Sequence, residues 1–156
     1  MKNLFSVIVV ALIVSACATT PEPTMTPLEI QAMQTRTYEQ PKSVVFPSTV
    51  SVFQDLGYTL QSADIATGLV TSESAASSDV WHRFWTGSSR VEQTRATAFI
   101  EEIGDTTSVR LNFVEVDERS SGWGQRDRND TPILNADIYQ NAFERIETAI
   151  FVRSGD

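Results

Sequence analysis

The only cysteine in the chain, Cys17, lies at the end of its most apolar segment. Residues 4–14 are almost entirely Leu, Phe, Val, Ile and Ala, and Lys2 precedes them. This run is shorter than the about 20 apolar residues that a membrane-spanning helix needs. It has the size of the apolar part of an export signal, about 7–15 residues. A thiol that follows such a run is held at the membrane surface, where it can meet a lipid donor.

The four residues that end this segment, Val14-Ser15-Ala16-Cys17, resemble the bacterial lipobox. The resemblance implies transfer of diacylglycerol to the Cys17 sulfur, cleavage before Cys17, and acylation of the new amino terminus. Residues 1–16 are then a lipoprotein signal peptide. The alternative is a generic secretory peptide with a chance cysteine. Ala18, in place of Asp, follows Cys17, and by resemblance to the enterobacterial sorting rule this implies an outer membrane lipoprotein facing the periplasm.

Cysteine usage also limits the chemistry of the folded part. With one thiol, no internal disulfide can form even in an oxidising compartment. Once Cys17 is acylated, cysteine-based catalysis and cysteine-ligated zinc are excluded as well. Several acyl chains provide a durable membrane anchor, whereas a single chain is marginal. We therefore expect a membrane-anchored protein without a cofactor.

A serine-rich connection at residues 74–89 contains the aromatic residues Trp81, Phe84 and Trp85. Such side chains must face something, since their exposure to water is costly. They either form a short helix or cap over an open sheet edge, or contact a partner or the membrane interface, where Trp is favoured. His82 is the only histidine, so a zinc site would need carboxylates for its other ligands, and we do not expect one.

A second long polar stretch, residues 120–130, places Trp123 between two glycines. Loops longer than about 12 residues are often functional or disordered. The stretch predicts a mobile loop, and Trp123 is a second candidate for partner or membrane contact.

The charged residues exclude some functions and leave one enzymatic class open. The 12 basic and 20 acidic residues give a formal net charge of −8, which argues against binding to nucleic acid. Glu101 and Glu102 are neighbours on a predicted strand and so point to opposite faces. Glu92 faces Asp117 in the predicted hairpin, which indicates a charged strand end rather than an acid/base pair. No catalytic residues are assigned.

The chain divides into a tether and one domain. Residues 17–30 contain the predicted lipidated cysteine and a segment rich in Pro and Thr, which cannot bury enough apolar surface to order itself. Residues 31–153 suit a single domain.

Within this domain the first elements are a short strand and a helix. Residues 31–39 predict the strand. Residues 43–56 predict the helix, with Ser43 as N-cap, Pro47 in the first turn and Gly57 as a left-handed cap. Two strands follow at residues 58–63 and 69–73, joined by a turn near residues 64–68.

The clearest pattern is a hairpin over residues 92–117. Gly104 and Asp105 form a favoured two-residue turn. Folding about this turn brings three apolar pairs to one face: Ile100 with Val109, Ala98 with Leu111, and Ala96 with Phe113. A slip of one residue would reverse both faces, so the pattern predicts this register.

Residues 135–152 predict the closing helix. Asn135 is the predicted cap. The apolar residues recur at the spacing of one buried stripe, which consists of Ile138, Tyr139, Ala142, Phe143, Ile146, Ala149 and Ile150. The element order is β-α-β-β-β-β-α. We therefore predict an α+β domain, in which a single antiparallel sheet of about five strands carries two helices on one face.

Several segments resemble a family of small uncharacterised bacterial lipoproteins of the outer-membrane type. The segments are MQTRTY at 33–38, VFQDLGY at 52–58, SAD at 62–64, GLV at 68–70, DIYQNAF at 137–143 and IF at 150–151. The element order is also similar to that of helix-grip domains in accessory lipoproteins of the barrel-assembly machinery, an analogy of fold alone. The family implies no activity and no functional residues.

From these observations we expect a lipid-anchored interaction or scaffold module of the bacterial cell envelope, without catalytic activity. Its expected partners are the membrane, through Cys17, and an envelope protein. Two alternatives remain open. The first is a carrier that holds a lipid or small apolar ligand between helices and sheet, and the second is a carboxylate-dependent envelope hydrolase.

Overall fold

The computed structural model describes residues 25–74, 77–78, 89–120 and 126–155. The helices are α1 (Pro27–Gln34), α2 (Lys42–Asp55) and α3 (Ala136–Ser154). The strands are β1 (Thr35–Tyr38), β2 (Tyr58–Asp64), β3 (Leu69–Ser74), β4 (Ser77–Ser78), β5 (Ser89–Ile103), β6 (Thr106–Ser120) and β7 (Arg126–Pro132).

All the described strands belong to one antiparallel sheet. Its main order is β1-β6-β5-β3-β2, while β7 also pairs with β6 and β4 also pairs with β5. The predicted α+β class with a single antiparallel sheet is therefore confirmed. The sheet has seven strands rather than about five, and the described chain has three helices rather than two.

The long hairpin of β5 and β6 forms the centre of the sheet, in the predicted register. Gly104 adopts a φ of 62°, which the tight turn requires. All three predicted apolar pairs are observed, and their six side chains are buried. The alternation of apolar and polar residues therefore determined both the pairing and the buried face.

Helices α2 and α3 cover this buried face, as predicted. Their apolar residues form one core cluster with those of β5 and β6. Helix α3 buries five residues, Tyr139, Ala142, Phe143, Ile146 and Ile150, and the side chain of Asn135 caps it by accepting a hydrogen bond from the backbone N–H of Asp137 at 2.9 Å. Ile138, which belonged to the predicted stripe, is 41% exposed because it lies at the margin of the covered face.

The start of α2 differs from the prediction. The helix begins at Lys42 with Pro41 at the N-cap position, so Ser43 is not the cap. Pro47 consequently lies inside the helix rather than in its first turn. Because proline has no backbone N–H, the carbonyl of Ser43, four residues earlier, lacks its usual helical donor. Gly57 ends α2 with a φ of 85°, as predicted.

The predicted first strand is too long. Residues 27–34 form α1, which includes the last four residues of the predicted tether, and only Thr35–Tyr38 pair with β6. Thr26 and Glu29 form a capping box around Pro27, the first residue of the helix. This local cap determines the helix before the strand begins.

The predicted mobile loop at residues 120–130 is also corrected in part. Residues Arg126–Pro132 form β7, which pairs with the end of β6. On the sheet face opposite the helices, Arg95 contacts Glu73 at 3.0 Å and Asp130 at 3.6 Å. A hydrogen bond from Arg128 to Asp130, at 2.8 Å, is the main reason why the pKa of Asp130 is lowered. Charged cross-strand contacts rather than apolar alternation hold this edge strand, so its pattern was not recognised.

Candidate functional site

The residues that the sequence singled out lie outside the described part of the chain. These are Cys17, Trp81, His82, Phe84, Trp85 and Trp123. Their lipidation and contact roles stay predictions. Among the described residues, no group of three His, Cys, Asp or Glu side chains could hold a metal ion. No helix of the described segments is long and apolar enough to cross a membrane.

The carboxylates that were weighed for acid/base work take their predicted places in the sheet. Glu92 is the register partner of Asp117. Two pairs further from the hairpin turn, Arg90 of β5 is the register partner of Arg119 of β6. Glu101 and Glu102 are adjacent on β5 and are both exposed. Because neighbours on a strand point to opposite faces, they do not share a site.

A groove between α2 and α3 has a volume of about 810 Å³. Its walls include Ser51 and Asp55 from α2, and Arg145, Thr148 and Val152 from α3. Val52 and Ala149 also line it, so small or aliphatic side chains form much of its surface. Most of its lining residues lie on the exposed flanks of the two helices, whereas Val52 belongs to the buried core.

Close approach of the two helices has a structural cause in α2. Ser48 and Thr49 are fully buried, and their hydroxyls donate to the helix's own carbonyl oxygens at 2.8 and 2.9 Å. These bonds satisfy both hydroxyl donors within α2, and the two side chains occupy little space. Arg153 donates from Nε to the Ser48 hydroxyl at 3.2 Å, which joins the far end of α3 to α2.

A smaller pocket of about 330 Å³ continues this groove toward the sheet. Leu56, Tyr58, Phe113, Ile138 and Ala142 make its apolar wall. Asp137 and Asn141 complete the lining, and Asn141 also lines the larger groove. The two cavities are thus neighbours along α3.

The floor of this pocket is an aromatic cluster. The ring of Phe113 lies 6.3 Å from those of Phe53 and Tyr58, and 5.1 Å from that of Tyr139 in an edge-to-face arrangement. Partial burial raises the pKa of the Tyr58 hydroxyl. The cluster fixes the pocket because the rings of Phe53, Tyr58 and Phe113 each contact at least two others.

Charges are distributed unequally along the combined groove. Asp55 and Asp137 lie toward the pocket end, whereas Arg153 lies at the opposite end. Glu144 and Arg145 line the middle, where Arg145 donates from Nε to the Asn141 side chain at 2.9 Å. The groove is therefore acidic at the end where α3 begins and basic at the end where α3 finishes.

The sequence contains a pattern for this groove that was not recognised. Asn141, Arg145, Thr148 and Val152 follow one another at helical spacing and form a second stripe on α3, beside the buried one. The stripe is mainly polar, so a search for apolar periodicity misses it. Val152, which is 74% exposed, is the apolar residue that could have indicated it.

Comparison with known proteins adds no assignment. No protein-family model matches the chain, and no curated protein is significantly similar to it. The groove and its pocket are therefore interpreted from their own geometry.

Proposed function

We propose that this protein is a lipid-anchored interaction module of the bacterial cell envelope, attached through Cys17 to the periplasmic face of the outer membrane. The lipobox-like residues and the short Pro- and Thr-rich segment that follows support the anchor. The resemblance to small bacterial lipoproteins supports the same location. The protein partner binds in the groove between α2 and α3.

The groove is the observation that carries the interaction. From Asp137 to Arg153 it follows α3 for about 24 Å, at 1.5 Å per residue, which is the length of about four helical turns. A long, shallow groove with a mixed lining fits an amphipathic helix, one of the recurring partners of such surfaces. The occupant is therefore an amphipathic helix of an envelope protein.

Charge gives this helix a direction. A helix has partial positive charge at its N-terminus and partial negative charge at its C-terminus. Its N-terminus is favoured near Asp55 and Asp137, and its C-terminus near Arg153. An apolar side chain in its first turn then enters the pocket beside Phe113 and Ile138.

The anchor is tested by metabolic labelling with palmitate. Wild-type protein is expected to incorporate the label and fractionate with the outer membrane, and Cys17→Ser is expected to lose both properties. Equal labelling of wild type and Cys17→Ser would reject the anchor.

The groove is tested by site-specific photo-crosslinking in intact cells. A photoreactive residue at Val152, which lines the groove, should crosslink to a peptide that mass spectrometry maps to an amphipathic helix. The same residue at Phe151, which is 60% exposed but does not line the groove, is the matched control.

A second substitution makes this result specific. Thr148→Trp fills the groove and should abolish the Val152 crosslink, whereas Gln140→Trp, on the exposed α3 surface outside the lining, should leave it. Equal crosslinking at Val152 and Phe151, or insensitivity to Thr148→Trp, would reject the groove as the docking surface.

The apolar pocket favours one alternative, a carrier of a small apolar ligand. Its volume of about 330 Å³ is at the low end of the about 300–1,000 Å³ range of ligand sites. This favours one side chain or a small ligand over a whole lipid. Native mass spectrometry of the delipidated domain distinguishes the two functions, because a bound small molecule supports the carrier.

A further inference from the structure

We propose that α1 is an extendable spacer between the membrane anchor and the domain, which opens without unfolding the rest of the protein. Its position supports this role, because α1 begins within the last residues of the predicted tether and directly precedes the first strand of the sheet. The proposal rests on the anchor at Cys17 for its function in the cell. The mechanical property itself does not depend on lipidation.

Helix α1 contributes little to the core. None of its eight residues is buried, and Leu28 is 75% exposed. Of its side chains, Met33 is half-buried and packs against the core cluster. The side chain of Gln34 donates a hydrogen bond to the hydroxyl of Tyr139 at 3.3 Å, which joins the end of α1 to α3.

Such a helix has little stability of its own. Isolated helices shorter than about 12–15 residues are marginal in water, so α1 depends on its capping box and on these few contacts. Thr26 supplies both the N–H and the hydroxyl that bind the Glu29 carboxylate, at 2.7 and 2.8 Å, and all these groups are exposed. Elements with few buried contacts are those that open locally below the global free energy of unfolding.

Opening α1 would lengthen the connection to the membrane. Eight helical residues span about 12 Å, whereas the same residues fully extended span about 26–29 Å. The maximum reach of the domain therefore increases by roughly 15 Å. A partner helix bound in the groove can then move the domain away from the bilayer, and only α1 has to unfold.

Single-molecule force spectroscopy tests the spacer on the unlipidated mature chain, pulled through the Cys17 thiol and the C-terminus. The expected result is a reversible low-force extension of roughly 15 Å that precedes domain unfolding. Ala32→Pro, which breaks α1, should remove this step while the main unfolding force stays unchanged. Ala136→Pro, at the first position of α3 where proline is tolerated, is the matched control and should retain the step.

Hydrogen exchange supplies a second readout. Backbone amides of the last turn of α1 should exchange at least about 100-fold faster, relative to their intrinsic rates, than those around Ile146 in α3. Equal protection of α1 and α3, the absence of a separate low-force step, or loss of the domain fold in Ala32→Pro would each overturn the spacer. Failure of the wild-type protein to incorporate palmitate would instead reject the anchor and leave these results unaffected.

Discussion

The hydroxyl oxygen of Tyr139 accepts a hydrogen bond from the backbone N–H of Phe113, with 3.2 Å between oxygen and nitrogen. Phe113 lies where the edge of β6 passes from its pairing with β1 to its pairing with β7. The Phe113 carbonyl accepts a hydrogen bond from the N–H of Ile133 at 2.9 Å. Both backbone groups of Phe113 are thus satisfied although none of the described strands pairs with it on this side.

Replacement of Tyr139 by Phe removes this acceptor. The side chain is 1% exposed, so the N–H of Phe113 would be left buried without a partner. We expect Tyr139→Phe to lower the free energy of unfolding by about 1–3 kcal/mol, measured by urea denaturation. Tyr58→Phe is the control, because it removes a hydroxyl from the same aromatic cluster and should change stability by less than about 0.5 kcal/mol. Equal effects of the two substitutions would contradict the role of the Tyr139 hydroxyl.

Gly68 cannot accommodate a side chain. It has a φ of 76°, its carbonyl accepts a hydrogen bond from the Ile100 N–H at 2.8 Å, and a Cβ atom would overlap the Ile100 carbonyl oxygen. Backbone strain and overpacking should together lower the free energy of unfolding of Gly68→Ala by about 3 kcal/mol.

Gly57 provides the comparison for Gly68, because it also has positive φ but has open space around its Cβ position. Gly57→Ala should therefore cost only the backbone strain of about 1–2 kcal/mol. If thermal or urea denaturation gave the same loss for both variants, the close approach of β3 and β5 at Gly68 would not be a source of strain.

Pro47 is a site where a substitution should stabilise the protein. An alanine there supplies an N–H for the Ser43 carbonyl and removes the ring clash inside α2. A gain of about 1–2 kcal/mol is expected for Pro47→Ala, after allowing for the greater freedom of the unfolded chain. Pro41→Ala, at the N-cap position, should give little change. If Pro47→Ala lowered the free energy of unfolding, packing of the proline ring would outweigh the gain from the restored hydrogen bond, and the prediction would be wrong.

The stability of α1 should depend on pH through Glu29. Its pKa is lowered by the hydrogen bond from the Thr26 backbone N–H, and further by the bond from the Thr26 hydroxyl. Because the folded-state pKa is below the ordinary value, this stabilisation is fully present above the ordinary Glu range and is lost as the pH falls through the folded-state pKa. Carbon chemical shifts of residues 28–33 should therefore lose helical character in acid. Glu29→Gln should show no such transition, and a transition of equal size in that variant would exclude Glu29 as its cause.

The hairpin and the closing helix could be predicted in detail because their patterns are local and redundant. The cross-strand pairs formed by Ile100, Ala98 and Ala96 all support the same register, and the turn at Gly104 supports it independently. The start of α2 was harder to predict from the sequence. Ser43 and Pro41 are both acceptable before a helix, but the Pro41 carbonyl accepts hydrogen bonds from the N–H groups of Val44 and Val45, so the helix begins at Lys42.

Strand β7 and the groove could not be predicted for a different reason. The residues of β7 alternate charges, and Asp130 pairs with Arg95 on β5, a strand that is distant in sequence. The groove needs α2 and α3, which are separated by more than half of the domain, to lie side by side. Neither relationship leaves a periodic pattern in one segment.

The sequence alone therefore determined the pairing of β5 with β6, the buried stripe of α3, the single antiparallel sheet, and the expectation of an anchor at Cys17. Tertiary structure decided where α1 ends, how β7 is held, and which polar residues of α3 line a groove. The physical reason is that apolar periodicity records which side of one element avoids water. Contacts between polar side chains depend on which elements are brought together.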